Sequence, residues 1–279
     1  MTVDIYFGDN LPILQSFKDS IFDLIYIDPP FNTGKRQQRT SIETNQNDTG
    51  DRIGYGGKCY KTTVIDTKSF NDVFDDFIGF IEPRIVEAYR ILSNTGSFFL
   101  HLDYREVHYC KVLCDQIFGR DHFINEIIWA YDYGGKSKTR WSPKHDNILW
   151  YVKDPTSYTF NYDLIDRVPY MSPSLVGPEK AAIGKVPTDC WWHTIVPTNS
   201  KEKTGYPTQK PVGVINRIVK VHSNVGDNLL DFFAGSGTLG YCAATLDRNV
   251  TLVDESETAI DVMVKRLSSF NPVVRKWNN

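Results

Sequence analysis

The run Phe22-Asp23-Leu24-Ile25-Tyr26-Ile27, closed by Asp28-Pro29-Pro30-Phe31, constrains this chain more than any other stretch. Six residues dominated by aliphatic and aromatic side chains, and stopped by a proline pair, read as a buried strand. In open α/β sheets the C-terminal ends of such strands form the ligand crevice. At that end the chain places a carboxylate, two residues of fixed φ and an aromatic ring. These types suit a flat base carrying an exocyclic amino group. Asp28 and a proline-anchored backbone carbonyl can accept its N–H bonds, and Phe31 offers a face for stacking. A plain strand-to-loop turn can carry the same four residues, so the tetrapeptide alone leaves both readings open.

The surrounding pattern supplies the rest of a sheet. Strands are expected at 3–7, 97–102, 123–131, 147–152, 228–233 and 249–253, and helices at 11–17, 70–92, 105–118, 212–222 and 239–246, with a last helix ending near Ser268. Residues 32–66 are polar and poorly periodic, which predicts a long mobile loop, placed as a lid by its position after the turn. Recurrent prolines and lost periodicity over 154–205 predict an irregular insertion anchored by Trp191 and Trp192. A chain of 279 residues suits one large α/β domain with an insertion. The expected division is a catalytic half (1–132, with the 32–66 lid), a recognition insertion (133–207) and a cofactor-binding half of the same domain (208–279).

Other classes are disfavoured by what is missing. No apolar run approaches the roughly 20 residues of a membrane span, and Met1-Thr2-Val3-Asp4 does not begin a secretory signal. The five cysteines are scattered, and neither they nor the six histidines show a metal-binding spacing. The expectation is a reduced, cytoplasmic protein without membrane or metal. A net charge of −3 argues against a generic nucleic-acid coat protein but not against an enzyme with a local basic groove.

A second motif runs Leu229-Leu230-Asp231-Phe232-Phe233-Ala234-Gly235-Ser236-Gly237-Thr238, read as strand, glycine-rich turn and helix start. Glycines let a ligand approach the backbone, and the helix supplies free N–H groups. A tight βα connection would look similar. The partner that separates the readings is Asp254, which ends the next apolar strand about 20 residues on, where an acidic side chain can hold the ribose of an adenosine cofactor. Glu255 is the alternative if the register slips by one. No phosphate-grasping lysine follows the glycines, and the third glycine of the dinucleotide fingerprint is not clean, although Gly240 lies nearby. An adenosine cofactor without a pyrophosphate fits better, which selects S-adenosylmethionine.

With these motifs in place, the chain resembles the β-class of S-adenosylmethionine-dependent DNA amino-methyltransferases, which modify adenine N6 or cytosine N4 in bacteria and phages. The resemblance covers about two thirds of the chain. It runs in the family's order through Gly8-Asp9, Asp28-Pro29-Pro30-Phe31, Thr95-Gly96-Ser97 with the strand to His101, and Asn125-Glu126-Ile127-Ile128-Trp129. It continues through Thr208-Gln209-Lys210-Pro211, Gly226-Asp227 and the Asp231-to-Thr238 turn. Phe232 departs from it, since the family usually has proline there; the change alters turn rigidity more than chemistry.

The resemblance implies an α/β fold with a doubly wound, mostly parallel, Rossmann-like sheet, circularly permuted motif order and an inserted target-recognition region. It implies site-specific methylation of a base flipped out of double-stranded DNA. Asp28, Pro29, Pro30 and Phe31 then form the catalytic turn: Phe31 stacks on the base while Asp28 and the Pro29 carbonyl accept its N–H bonds. Ala234, Gly235, Ser236, Gly237 and Thr238 border the methionine end of the cofactor, and Lys210 with Pro211 lies near its carboxylate. Asp254 holds the ribose and Asp9, beside Gly8, the adenine edge; Asp28 and Asp231 complete the set. An Asp at the first catalytic position goes mostly with adenine in this family and Ser with cytosine, so adenine N6 is the expected target and cytosine N4 the alternative. A non-catalytic DNA-binding subunit is a further alternative, as is a protein-glutamine or RNA substrate. Lys136, Lys138, Arg140 and Lys144 with Trp141, and Lys35, Arg36 and Arg39 in the lid, are the candidate DNA contacts; each group could also be a solvated loop. His101 reads equally as a site-lining or a satisfied structural histidine. A restriction–modification setting, or a stand-alone phage or bacterial modification enzyme, follows, in a cytoplasmic, nucleoid-associated protein, with a homodimer and a cognate restriction endonuclease as candidate partners.

Overall fold

Alternation along the buried run sends its side chains into two separate cores. Leu24 and Tyr26 pack into one, Ile25 and Ile27 into the other, as expected of a strand covered on both faces. The computed structural model describes residues 1–277 apart from 33, 35–36, 47–51, 54–58 and 71–73; across 37–46, 52–53 and 59–70 it describes the backbone, with side chains only at Cys59, Lys61 and Thr63.

In chain order the regular elements begin with β1 (Val3–Phe7), α1 (Asn10–Ser16), β2 (Phe22–Ile27), β3 (Gln37–Gln46), β4 (Arg52–Ile53), β5 (Cys59–Phe70), α2 (Phe77–Ile91) and β6 (Leu92–Leu102). There follow α3 (Val107–Phe118), β7 (Phe123–Ala130), β8 (His145–Val152), α4 (Pro178–Ile183), β9 (Cys190–Trp192), α5 (Val212–His222), β10 (Asn228–Asp231), α6 (Thr238–Thr245), β11 (Asn249–Asp254), α7 (Glu257–Arg266) and β12 (Val273–Lys276). Nine strands form one sheet in the order β12-β1-β11-β10-β2-β6-β8-β7-β9. Pairing is parallel except where β8 meets β6 and β7. Helices α1, α2 and α3 cover one face through Leu14, Ile81, Ile85 and Leu113. Helices α5, α6 and α7 cover the other through Ile215, Ile218, Ala243 and Met263. The sheet is thus doubly wound and mostly parallel. Its centre pairs β2 with β10, Leu24 opposite Leu229 and Ile25 opposite Leu230, which sets the Asp28 turn beside the glycine turn.

Three expectations need correction. The segment 32–66 is not a single irregular loop, because the backbone of β3 runs antiparallel to β5, with β4 on the other side of β5. Thr, Val and Ile recur there at positions 40, 42, 44, 62–65 and 67, and β-branched residues favour extended backbone even in a polar setting. Nor is 133–207 one insertion. Strand β8 belongs to the main sheet between β6 and β7, and Asp146 to Val152 along it are all buried. The second helix begins at Phe77, where the Asp76 side chain accepts from the Gly79 N–H at 2.8 Å and so caps it. Strand β12 escaped the pattern because its four residues are all exposed and carry no apolar alternation. Among the described residues no helix is long and apolar enough to cross a membrane.

Candidate active site

The turn after β2 carries Asp28 and Phe31 into a cavity of about 460 Å³. The Asp28 carboxylate is divided in role. Its Oδ2 is ion-paired with Lys210 Nζ, while Oδ1 is buried with no hydrogen-bond partner among the described residues. The Lys210 ammonium also lies 4.8 Å from the Phe31 ring centroid. An unsatisfied buried acceptor is costly.

Behind this turn lies a buried polar chain. Tyr26 O–H donates to His101 Nδ1 at 2.7 Å, and His101 Nε2–H donates to Asp146 Oδ2 at 3.3 Å, the tautomer that satisfies both contacts. Tyr131 O–H donates to Asp146 Oδ1 at 3.1 Å. Burial, and then the charge of Asp28, push the Tyr26 pKa well up, so the phenol keeps its proton. For Asp146 burial acts upward, but the hydrogen bonds from His101 and Tyr131 and the charge of Lys210 bring its pKa below the usual value. His101 is fully buried and off the cavity wall, with its ring centroid 6.1 Å from that of Phe31.

The glycine turn closes the other side of the cavity. Gly235 and Gly237 have φ of +49° and +68°, in the left-handed region, and a Cβ on Gly237 would come within 2.8 Å of Met263 Cγ. Only glycine meets both demands without strain. The Gly235 N–H donates to Asp254 Oδ2 at 2.8 Å and the Ser256 N–H to Asp254 Oδ1 at 2.9 Å. Burial nevertheless pushes Asp254 up to about 6. Asp231 is buried too, accepting from the Phe233 N–H at 3.0 Å, and burial raises its pKa well above the usual carboxylate range. Glu255 sits exposed on the cavity lip.

Two arginines hold this frame. Arg266 Nη1 donates to the Ser236 carbonyl at 3.1 Å and to Thr238 Oγ1 at 2.9 Å, while Thr238 Oγ1 donates to the Lys210 carbonyl at 3.1 Å. Arg84 donates to Asn10 Oδ1 at 2.6 Å and to Asp9 Oδ1 at 3.1 Å, and lies 3.9 Å over the Phe80 ring. Asp9 in turn caps α1, accepting from the Leu11 N–H at 3.1 Å. The cavity wall therefore unites Gly8, Asp9, Asp28, Pro29, Pro30, Phe31, Lys210, Asp231, Ala234, Gly235, Ser236, Thr238 and Asp254. It excludes Pro211, which precedes α5, and Gly237, whose role is conformational. Tyr26, Arg84, Tyr206 and Arg266 were not singled out from the sequence. Arg84 had a signal, a charge set beside the apolar stripe of α2; Arg266 had none, since basic residues are ordinary in the last turn of a helix.

Comparison with known proteins decides the family. The model of the N6/N4 DNA methylases matches residues 22–265, spanning both halves of the cavity. The chain belongs to the DNA methylase family. It is an S-adenosylmethionine-dependent DNA methyltransferase. It is 30% identical to the type II methyltransferase M.HpaI of Haemophilus parainfluenzae over 92% of this chain and 71% of that protein. To the DNA adenine methyltransferase YhdJ of Escherichia coli K12 it is 28% identical, over 93% and 81%. Its fold is shared with M1.HpyAVI, solved as a SAM complex (TM-score 0.62, 19% identity, 95% and 99% covered), and with the cytosine-N4-specific PvuII DNA methyltransferase (TM-score 0.60, 15% identity, 98% and 96% covered).

In this methylase the candidate DNA contacts divide. Lys136, Lys138 and Arg140 are exposed on the connection between β7 and β8, and Trp141 beside them is 97% exposed. Lys144 instead donates through Nζ to the Tyr133 carbonyl and braces the base of that loop. Tyr131 and Asp146 form the two stems, so the loop grows directly from the buried polar chain. Lys35 and Arg36 lie outside the described residues, and Arg39 is described only by its backbone, opposite Lys68.

Proposed function

We propose that this methylase transfers its methyl group to adenine N6 in a base flipped from double-stranded DNA, at a specific sequence and within a restriction–modification system. The observation that carries the reading is Asp28 Oδ1, a buried acceptor without a partner among the described residues, in the turn that also brings Phe31 to the cavity. An amino N–H is the donor it lacks. The Pro29 carbonyl takes the second N–H, and Phe31 stacks on the base. The residues of the cavity suit S-adenosylmethionine: the positive-φ Gly235 on its wall, the buried Asp231 and half-buried Asp254 carboxyls for hydroxyl groups, and one ammonium, Lys210, for a carboxylate.

Bound there, the cofactor supplies an electrophilic methyl on a sulfonium. Asp28 and Pro29 draw the amino lone pair out of conjugation and aim it at that carbon. The nitrogen's surplus proton has the Asp28 carboxylate beside it as a base. Positioning of this kind can supply roughly 7–11 kcal/mol of barrier lowering. Asp254 is assigned to the ribose, Asp9 and the aromatic face of Phe80 to the adenine end. Lys136, Lys138 and Arg140 contact phosphates, and Trp141 stacks or wedges.

Cytosine N4 is the second reading, because the PvuII enzyme of that specificity shares the fold. Asp rather than Ser at position 28 favours adenine, as does the similarity to YhdJ. A cytoplasmic, nucleoid-associated location, a second copy of the chain and a cognate endonuclease belong to the same proposal. Mass spectrometry of nucleosides from unmethylated DNA incubated with protein and cofactor tests it. N6-methyladenine is the expected product; N4-methylcytosine alone would overturn the base assignment.

A further inference from the structure

Lys210 is held by the two groups that the proposed reaction reserves for the base. Its ammonium is ion-paired with Asp28 Oδ2 and sits over Phe31, in the same cavity that takes the cofactor. Both side chains of the pair are largely buried, at 10% and 15% exposure, so neither charge is well screened by water. A desolvated ammonium keeps a carboxylate partner or is destabilised. It therefore leaves Asp28 readily only if another carboxylate takes its place.

The cavity makes that replacement specific. Lys210 and Arg84 are the lysine and arginine among its described lining residues. Arg84 is already committed to Asp9, Asn10 and the Phe80 carbonyl. Lys210 is thus the cation left for the α-carboxylate of S-adenosylmethionine. We propose that Lys210 exchanges partners: it leaves Asp28 for the cofactor's carboxylate, so that Asp28 and Phe31 become fully available to the base only in the loaded enzyme. Lys210 is then a positioning residue that orders the two substrates. The inference rests on the reading of Asp28 and Phe31 as base-holding groups, but its first step concerns cofactor and protein alone and can be tested without DNA.

The test is calorimetric binding of two ligands to the full chain: S-adenosylhomocysteine, which carries the amino-acid carboxylate, and 5′-methylthioadenosine, which lacks it. The proteins are wild type, Asp28→Asn, Lys210→Met and the double variant. If Asp28 competes for Lys210, Asp28→Asn tightens S-adenosylhomocysteine about tenfold, the scale of one charge-assisted contact. It leaves 5′-methylthioadenosine unchanged, which also shows that the variant is folded. Lys210→Met weakens S-adenosylhomocysteine, and adding Asp28→Asn to it then gives no gain. Unchanged or weaker S-adenosylhomocysteine binding by Asp28→Asn overturns the exchange and makes the pair a fixed support. Failure of the base-holding reading is seen separately, as methyl transfer retained by Asp28→Ala.

Discussion

Asp254 at the end of β11 holds the Gly235 N–H in the turn after β10, so the carboxylate proposed for the ribose also fixes the turn proposed to border the cofactor. Both of its oxygens already accept backbone N–H bonds, yet burial dominates and pushes its pKa up to about 6.

That shift predicts a pH dependence with a definite sign. A carboxyl whose folded pKa is raised binds a proton that the unfolded chain has lost, so its contribution to stability is present at acid pH and falls as pH rises through about 6. From the usual 3.8 to about 6 the change is on the order of 3 kcal/mol. Cofactor affinity runs the other way, because ribose hydroxyls donate to the ionised form. S-adenosylhomocysteine binding should strengthen from pH 5 to 7 and level off above, and Asp254→Asn should flatten both profiles. Titration calorimetry and urea unfolding across that range check it. A flat binding profile in wild type moves the ribose role to Glu255.

Asp28→Ala should abolish methyl transfer while S-adenosylhomocysteine still binds, since the orphan Oδ1 is assigned to the base amino group. Product formation by nucleoside mass spectrometry and binding by calorimetry separate the two. Lost cofactor binding, with transfer retained per bound cofactor, would sink the assignment.

The exposed connection between β7 and β8 should affect DNA and not the fold. Trp141→Ala should leave the urea midpoint unchanged, because the ring is 97% exposed, and weaken DNA binding by roughly 1–3 kcal/mol if it stacks. Lys138→Ala should lower the slope of log affinity against log salt by about 0.9 for a lost phosphate contact. Fluorescence anisotropy at several salt concentrations reads both. Unchanged affinity and slope would make the loop a solvated one.

The parts of this molecule that were legible in sequence are those governed by one strand or one turn. The run to Ile27 reads as a buried strand because nearly every residue in it is apolar, and the spacing pairs the Gly235 turn with Asp254 or its neighbour Glu255. What stayed hidden depends on register between distant segments. Lys210 meets Asp28 across 182 positions, and Arg266 reaches the glycine turn from α7, contacts that no local pattern encodes. Strand β8 is legible as a strand, but its insertion between β6 and β7 is not, since an antiparallel strand reads the same wherever it pairs. The stretch holding β3 and β5 reads as loop because its polar composition outweighs its β-branched residues.

Arg266 offers a test of the hidden frame. Its guanidinium is half-buried and bonds Ser236 and Thr238, and burial lowers its pKa against the pull of Cys242 and Glu202. Arg266→Met should lower unfolding stability by roughly 1.5–3 kcal/mol, the worth of charged hydrogen bonds. It should also weaken cofactor binding, because the turn loses its tether. A stability loss with unchanged S-adenosylhomocysteine affinity would show that the turn holds its shape without Arg266.

His101 carries the last prediction, because it separates a structural from a positioning role. His101→Phe preserves an aromatic ring beside Phe31 and Trp129 but leaves the Tyr26 hydroxyl and the Asp146 carboxylate short of a partner. Breaking one member out of a buried charged network costs about 3–5 kcal/mol, so a lowered urea midpoint is expected either way. The decisive readout is kinetic, on the folded fraction at low temperature. If His101 seats Phe31 and the catalytic turn, kcat falls while the KM for cofactor stays fixed, and Asp146→Asn, which still accepts from His101 through its amide oxygen, retains more activity than His101→Phe. Wild-type kcat in folded His101→Phe would confine the Tyr26–His101–Asp146 chain to stability.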